Sequence, residues 1–226
     1  MPERAGIVEA VQHAELFQNL SPPMQTALFL SALVLLPSAL VCLTGFTRIV
    51  IVLSFVRRAV TSQEIPPNMV VTGLSLFLTL FVMAPTWEAL NQKAVAPYLD
   101  GKMLGTEAYQ QGVGVMKSFM LKQTRRQDLA LFLHMARVEP PREPEETPIH
   151  VLVPAFVISE LKTAFIMGFC IYLPFLLVDL VISSVLTAMG MVMMPPVVIS
   201  APIKILLFVL ADGWHLVARA LSTSFG

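Results

Sequence analysis

Three long stretches without charge constrain this chain more than any other feature. No Asp, Glu, Lys or Arg occurs in residues 24–47, 65–87 or 180–203, which are 24, 23 and 24 residues long. A helix of about 24 residues is about 36 Å long, enough to cross a hydrocarbon core of about 30 Å. The sequence therefore predicts an integral membrane protein that is mostly helical.

Composition supports this class and excludes several others. Hydrophobic residues make up 56% of the chain, charged residues only 13%, and the net charge is zero. A disordered chain, a nucleic-acid-binding protein or an ordinary cytosolic domain would carry more charge. Of the 30 charged residues, 16 fall in residues 88–150, eight of each sign, so this region is expected to be polar.

The distribution of apolar and polar residues predicts four segments. Residues 1–23 form an amphipathic N-terminal lead, and residues 24–87 form a first hydrophobic helical hairpin. Residues 88–150 form a polar helical insert that ends in a proline-rich linker. Residues 151–226 form a second hydrophobic hairpin with a methionine-rich tip.

The first hairpin predicts the membrane topology of the chain and an interruption in its first apolar run. Its first apolar run, residues 24–56, is too long for one simple span, and Pro37 or Gly45 is expected to interrupt it. Arg57 and Arg58 in the joint favour a cytoplasmic side for that joint, which places the polar insert on the periplasmic side. The start of the chain shows no cleavable signal, so we expect the first apolar segment to direct insertion itself.

Several charges lie inside or beside the apolar runs. An ionised group at the centre of a membrane costs about 2.5–3.5 kcal/mol, so such groups usually pair with one another or line water. Structural ion pairs are the simplest interpretation, and a proton relay through Asp179 or Asp212 is a further possibility. The six residues are Arg48, Glu160, Lys162, Asp179, Lys204 and Asp212.

Methionines concentrate at the tip of the second hairpin. Their unbranched thioether side chains are flexible and can repack around varied surfaces. Taken alone, the pattern is compatible with ordinary packing at a helix end or with a soft apolar closure. The four residues are Met189, Met191, Met193 and Met194. Elsewhere in this hairpin, Gly168 and Pro174 are expected to break or bend its first arm, and Pro202 its second.

Motifs for catalysis and for metal binding are absent from the sequence. There is no HExxH, GxSxG, P-loop or GxGxxG motif, and the four histidines and two cysteines have no ligand-like spacing. Ser159 beside Glu160 and Lys162 is the one candidate for an intramembrane hydrolase, but helical geometry does not bring these side chains together. We therefore predict no enzyme activity, no metal and no cofactor.

Three groups of motifs resemble the FliP family of flagellar type III export proteins, which is related to the SctR family of injectisomes. The first group is FTRIVIVLSFVR at 46–57, PPNM at 66–69 and LFLTLFVMAP at 76–85. The second is PAFVISELKTAF at 154–165. The third is MGMVMMPP at 189–196 with PIKILLFVLADGW at 202–214. The resemblance extends over nearly the whole chain, from about residue 22 to residue 218.

The resemblance implies a structural role. It implies an all-α protein whose kinked apolar hairpins assemble into a helical, cone-like homo-oligomer, the pore of the export gate. It implies partners of the FliQ and FliR types, and also of the FlhB and FlhA types, together with unfolded flagellar substrates and membrane lipid but no nucleic acid. The implied location is the bacterial inner membrane, in the flagellar basal body.

Site residues follow from the same resemblance as expectations. We expect Glu160 of one copy to pair with Lys204 of a neighbouring copy, and the four tip methionines to form a gasket that closes the pore. A small proton-coupled transporter or channel is the alternative function. Such a transporter is expected to show an internal inverted repeat, and none is visible in the sequence.

Overall fold

The computed structural model describes residues 21–60, 66–139, 141, 143–191 and 193–226. The predicted N-terminal lead, apart from residues 21–23, lies outside the described residues. The structure is 84% helical and has no strand among the described residues. The predicted all-α fold is therefore confirmed.

The described residues form nine α-helices, one π-helical turn and one 3-10 turn. The first part of the chain forms α1 (Pro22–Leu43), α2 (Phe46–Val60) and α3 (Asn68–Leu90), which continues through a π-helical turn (Asn91–Val95) into α4 (Ala96–Leu99). The polar insert forms α5 (Gly105–Gln123), α6 (Arg126–Met135) and a 3-10 turn (Pro144–Glu146). The last part forms α7 (Ile149–Ala188), α8 (Pro196–Leu210) and α9 (Gly213–Thr223).

The first long apolar run breaks at Gly45 and not at Pro37. Helix α1 continues through Pro37, and α2 begins directly after Gly45. A Cβ placed on Gly45 would lie 2.5 Å from a ring carbon of Phe225. The break therefore falls where an aromatic ring packs directly against the backbone.

Helix α7 is continuous through Gly168 and Pro174, so the interruption expected there is absent. Its 40 residues extend for about 60 Å. A broken helix in apolar surroundings would leave several backbone groups unpaired, whereas a single proline removes one hydrogen bond. Helix α8 likewise contains Pro202. The sharp change of direction comes later, where α8 and α9 meet at 63° and Asp212 has a φ of 50°.

The described residues form two compact units. The first contains the residues up to Thr44 and Met83–Ile158. Its buried core joins Met120 of α5 to Leu152 and Phe156 of α7. The ring of Phe119 meets that of Phe156 edge-on, with 5.9 Å between the ring centroids.

The second unit contains Gly45–Val82 and Ser159–Gly226. Its core is larger and is built on one face of α2, where apolar residues recur at helical spacing. Ala164 and Phe175 of α7 belong to the same buried cluster, as does Phe208 of α8. The residues that α2 contributes to the cluster are Ile49, Val52, Leu53, Val56 and Ala59.

Large apolar surfaces stay uncovered. Among the described residues, two helical stretches are long and apolar enough to cross a membrane, Asn68–Leu99 and Ile149–Ala188, and the bent pair α8 and α9 is a third if counted as one span. In the most apolar 18-residue stretch of α7, only 11% of the residues are buried. These surfaces require lipid or protein to cover them.

The close approach of α2 to Gly168 gives a first prediction. A Cβ placed on Gly168 would lie 2.5 Å from Phe55 Cδ2 and 3.0 Å from Phe55 Cβ. Because Phe55 Cβ is fixed to its helix backbone, Gly168→Ala should lower the free energy of unfolding by about 1–3 kcal/mol, the usual cost of overpacking. Thermal unfolding of the extracted protein measures this.

Gly73 supplies the matched control, since it is also helical but a Cβ on it would meet nothing within 4 Å. Gly73→Ala should leave stability unchanged or raise it slightly, because alanine is the better helix former. Equal stability of the two variants would contradict the predicted close packing at Gly168.

Candidate functional site

Among the residues that the structure describes, the most deeply buried charges are Arg48, in the first turn of α2, and Glu160 of α7. Their side chains are 2% and 0% exposed. Arg48 Nε donates to Glu160 Oε2 at 2.9 Å, and Arg48 Nη2 donates to Glu160 Oε1. This two-pronged geometry is the strongest form of an arginine–carboxylate pair.

The guanidinium of Arg48 also holds the residues that follow α9. Its Nη1 donates to the backbone oxygen of Ser224 at 2.7 Å and to Ser224 Oγ at 3.0 Å. The ring of Phe225 lies beneath it, with 3.9 Å between the Arg48 Cζ and the ring centroid, a cation–π contact. Arg48 therefore connects α2, α7 and the segment after α9.

A second ion pair links the two arms of the second hairpin. Lys204 Nζ of α8 donates to Asp179 Oδ2 of α7 at 2.5 Å, and the two side chains are 11% and 34% exposed. One helical turn away, the rings of Phe175 and Phe208 pack with 6.3 Å between their centroids. The ion pair is thus set beside an aromatic contact between the same two helices.

Within one chain, Glu160 and Lys204 do not pair with each other. Glu160 pairs with Arg48, and Lys204 pairs with Asp179. The pair between neighbouring copies stays a prediction. Lys162 is exposed on α7 and makes no ion pair with the residues that the structure describes. Asp212 is also exposed, 3.7 Å from His215 Nδ1. Burial of Lys162 and Asp212 stays a prediction for an assembled protein.

The methionine tip connects α7 to α8 through a defined helix end. Gly190 has a φ of 77°, and Met191 N and Gly190 N donate to Leu186 O and Thr187 O. This pattern is the Schellman motif, which ends a helix at a left-handed glycine. Pro195 and Pro196 then start α8. The described tip methionines are all exposed, and Met193 is fully so.

The described residues hold little that points to catalysis or to a metal. No group of three or more His, Cys, Asp or Glu side chains among them could hold a metal ion. The carboxylate of Glu160, the predicted neighbour of Ser159 in a hydrolase site, is bound to Arg48. The arrangement suits a structural role for Glu160.

Sequence reasoning missed three features of the site. It selected Arg48 and Glu160 separately but did not pair them, and it gave no role to Ser224 and Phe225. Nothing in the sequence marks Ser224 and Phe225 for a role, because they follow the last apolar run and belong to no motif. Sequence reasoning also passed over Ser200, which is almost completely buried one helical turn before Lys204 on α8.

Comparison with known proteins identifies the family. The sequence profile of the FliP family matches residues 29–221. The flagellar biosynthetic protein FliP of Bacillus subtilis (strain 168) is 50% identical over 208 residues, which cover 92% of this chain and 94% of that protein. The FliP proteins of Pectobacterium carotovorum subsp. carotovorum and Aquifex aeolicus (strain VF5) are 47% and 46% identical, each across 92% of this chain and across 81% and 87% of their own lengths. This chain therefore belongs to the FliP family.

Proposed function

We propose that this chain is a structural, pore-forming subunit of the flagellar type III protein export gate, through which unfolded flagellar subunits cross the inner membrane. Membership of the FliP family over residues 29–221 carries the proposal. The relatives are named flagellar biosynthetic proteins, and the match covers almost all of this chain and of the Bacillus protein. The role is structural and not enzymatic.

The uncovered apolar surface supports assembly with other membrane proteins. Helix α7 exposes large apolar side chains along most of its length, and α3 exposes Phe77 and Phe81. We propose that further copies of this chain, two smaller subunits of the FliQ and FliR types, and lipid cover these faces. Proteins of the FlhB and FlhA types complete the proposed set of partners. The proposed location is the flagellar basal body in the inner membrane.

The topology of the subunit follows the charge pattern. We propose that the joint after α2, with Arg57 and Arg58, faces the cytoplasm and that the polar insert at 88–150 lies on the periplasmic side. The division of the chain into a lead, two hairpins and this insert is part of the same proposal. The π-helical turn at Asn91–Val95 falls where the first hairpin passes into the insert.

The methionine tip is the proposed closure of the pore. Several copies of a short, exposed, methionine-rich loop around one axis would form a soft apolar ring. Such a ring excludes water when it is empty and adapts to an exported chain of any sequence. The Schellman end of α7 and the prolines that start α8 support this role, because they fix both ends of the loop.

A defined multimer is the first expected outcome. Native mass spectrometry of the tagged protein, extracted gently after co-expression with its neighbouring membrane genes, should give several copies of this chain bound to two smaller membrane subunits. A monomer or symmetric dimer that is stable without partners would contradict the proposal. That result would favour the small transporter, in which Asp179 or Asp212 would relay protons.

The gasket gives a second outcome. Met191→Ala, Met193→Ala and Met194→Ala combined should make the membrane leak ions or small solutes, because alanine is too small to fill the ring. Conductance of cells or of reconstituted vesicles measures this leak. Met69→Ala and Met135→Ala combined form the control, since both methionines are exposed but lie far from the tip in sequence. An impermeable triple variant would contradict the gasket.

Charge swaps test the buried ion pairs. Arg48→Ala leaves the Glu160 carboxylate buried without its main partner, and we expect a loss of about 3–5 kcal/mol of stability and failure of assembly. Arg48→Glu combined with Glu160→Arg should restore part of that loss. The readout is the amount of assembled complex extracted from membranes. No loss with Arg48→Ala would contradict a structural role for the pair.

A pair between Glu160 and Lys204 of neighbouring copies requires both residues to exchange their partners within the chain. If the exchange takes place, Lys204→Ala should prevent assembly, and Glu160→Lys combined with Lys204→Glu should restore it. Full assembly with Lys204→Ala would contradict the exchange. The exchange would also be contradicted if Glu160→Lys with Lys204→Glu failed to restore assembly while Arg48→Glu with Glu160→Arg restored it.

A further inference from the structure

An apolar cavity of about 160 Å³ lies in the second unit, beside the joint between α2 and α3. Because Val70 and Trp214 are exposed, the cavity opens onto the surface of the chain. Apolar cavities of about this size in other proteins stay dry and bind small hydrocarbons. The cavity is therefore suited to hydrocarbon. Its lining residues are Leu53 of α2, Pro66 before α3, Val70, Val71 and Leu74 of α3, and Trp214 of α9.

Positive charge lies beside this cavity, at the end of α2. Arg57 comes one helical turn after Leu53, so its side chain leaves the same face of α2 as that part of the cavity wall. Its Nη1 donates to Asn68 Oδ1 at the start of α3. The guanidinium is thus held between the two helices that line the cavity. Arg58, at the next position, is exposed and adds a second positive charge.

Both arginines are available to an anion. Asn68 Oδ1 is the one acceptor for Arg57 within the described part of the chain, and a guanidinium has several further N–H donors. No carboxylate that the structure describes forms an ion pair with Arg57 or Arg58. Residues 57–68 contain only one acidic residue, Glu64, so the joint has a net positive charge.

Trp214 indicates the depth of the cavity in a membrane. Its ring packs edge-on against Phe208, with 5.3 Å between the ring centroids, and lines the cavity from α9. Tryptophan and arginine side chains at the ends of apolar helices mark the level of the lipid head groups. The cavity therefore opens at that level. Its wall extends from there along α2 and α3 toward the hydrocarbon, whereas Arg57 stays on the head-group side.

We propose that the cavity binds part of one acyl chain of an anionic phospholipid, whose phosphate contacts Arg57 and Arg58. Arginine binds phosphate through paired N–H groups, and an aliphatic wall one turn away receives the chain of the same molecule. A zwitterionic lipid fits this site less well, because its head group brings its own positive charge to the arginines. A partner helix, about 10 Å across, is too wide for the cavity. The inference rests on the membrane location within the proposed function and not on a pore.

The bound lipid joins three helices at one end. Its acyl chain contacts α2, α3 and α9 in the cavity, and its phosphate neutralises the arginines of the joint. A ligand that binds only the folded arrangement stabilises that arrangement. Anionic lipid therefore stabilises the packing of these three helices beside the joint.

Lipid binding measures the site directly. The protein is extracted, stripped of lipid and supplied with phosphatidylglycerol or with phosphatidylethanolamine of the same acyl chains, and native mass spectrometry counts the lipid bound per copy of this chain. The unchanged protein should bind phosphatidylglycerol more tightly. Arg57→Gln combined with Arg58→Gln should weaken phosphatidylglycerol binding by about fivefold for each arginine, the usual effect of one basic residue near an anionic surface. Equal binding of the two lipids by the unchanged protein overturns the proposal.

Arg125→Gln combined with Arg126→Gln is the matched control. This pair is also adjacent, with one arginine half-buried and one exposed, but it lies in the polar insert. The control should bind phosphatidylglycerol as the unchanged protein does, and an equal loss in both variants overturns the proposal. Arg57→Lys combined with Arg58→Lys keeps the charge and should keep most of the preference, which separates loss of charge from loss of folding.

The acyl-chain part of the site has its own test. Val70→Phe should weaken binding of both lipids, because the larger ring fills the cavity at its opening. Val198→Phe is the control, since Val198 is also exposed but lies on α8 outside the cavity. Equal lipid binding by the two variants overturns the proposal.

Two further results separate lipid from other occupants. Glycerol phosphate should not displace phosphatidylglycerol, because it supplies no hydrocarbon, and displacement overturns the proposal in favour of a simple phosphate site. A structure of the complex with a partner's side chain in the cavity also overturns it. These measurements count bound lipid and do not depend on export or leakage, so failure of the gate function is distinguishable from failure of the lipid site.

Discussion

The buried pair of Arg48 and Glu160 is the interaction on which the second unit depends. It joins residues that are 112 positions apart, and the same guanidinium holds Ser224 and Phe225. A single charge at this depth would be strongly unfavourable, so the core of α2 and α7 is formed only when both partners are in place. The apolar contacts around Ile49 and Phe175 supply area, and the ion pair supplies the specific arrangement of segments.

The surface of the chain is subject to a different constraint, because much of it is apolar and is not suited to contact with water. Helix α7 has one face in the core and leaves the rest uncovered, and the bent pair of α8 and α9 exposes Leu210 and Leu216 in the same way. A chain with so much exposed apolar area is stable only in lipid or in contact with other subunits. No charged residue lies between Asp179 and Lys204, and these two residues pair with each other, which keeps the cost of burial low.

The sequence predicted the helical class, the apolar segments and the family, because charge-free runs and long motifs are local signals. It predicted a break at Pro37 or Gly45 but could not choose between them, since the choice depends on the ring of Phe225, which is 180 residues away from Gly45. The prediction that α7 is interrupted at Gly168 and Pro174 was wrong. In apolar surroundings a helix that lacks one hydrogen bond is less costly than a broken helix, which leaves several backbone groups unpaired. Partners of buried charges could not be assigned, because pairing of Arg48 with Glu160 is set by tertiary packing and leaves no pattern in the sequence.

Site-specific cross-linking during export tests most directly whether this chain lines the path of an exported protein. A photoreactive amino acid at Met193, in cells that export a flagellar subunit arrested by a folded domain at its end, should cross-link to the arrested subunit. The same group at Met69, which is also highly exposed but lies on α3, should cross-link to membrane proteins or lipid instead. Equal labelling of the arrested subunit from both positions, or none from Met193, would contradict a pore closed by the methionine tip.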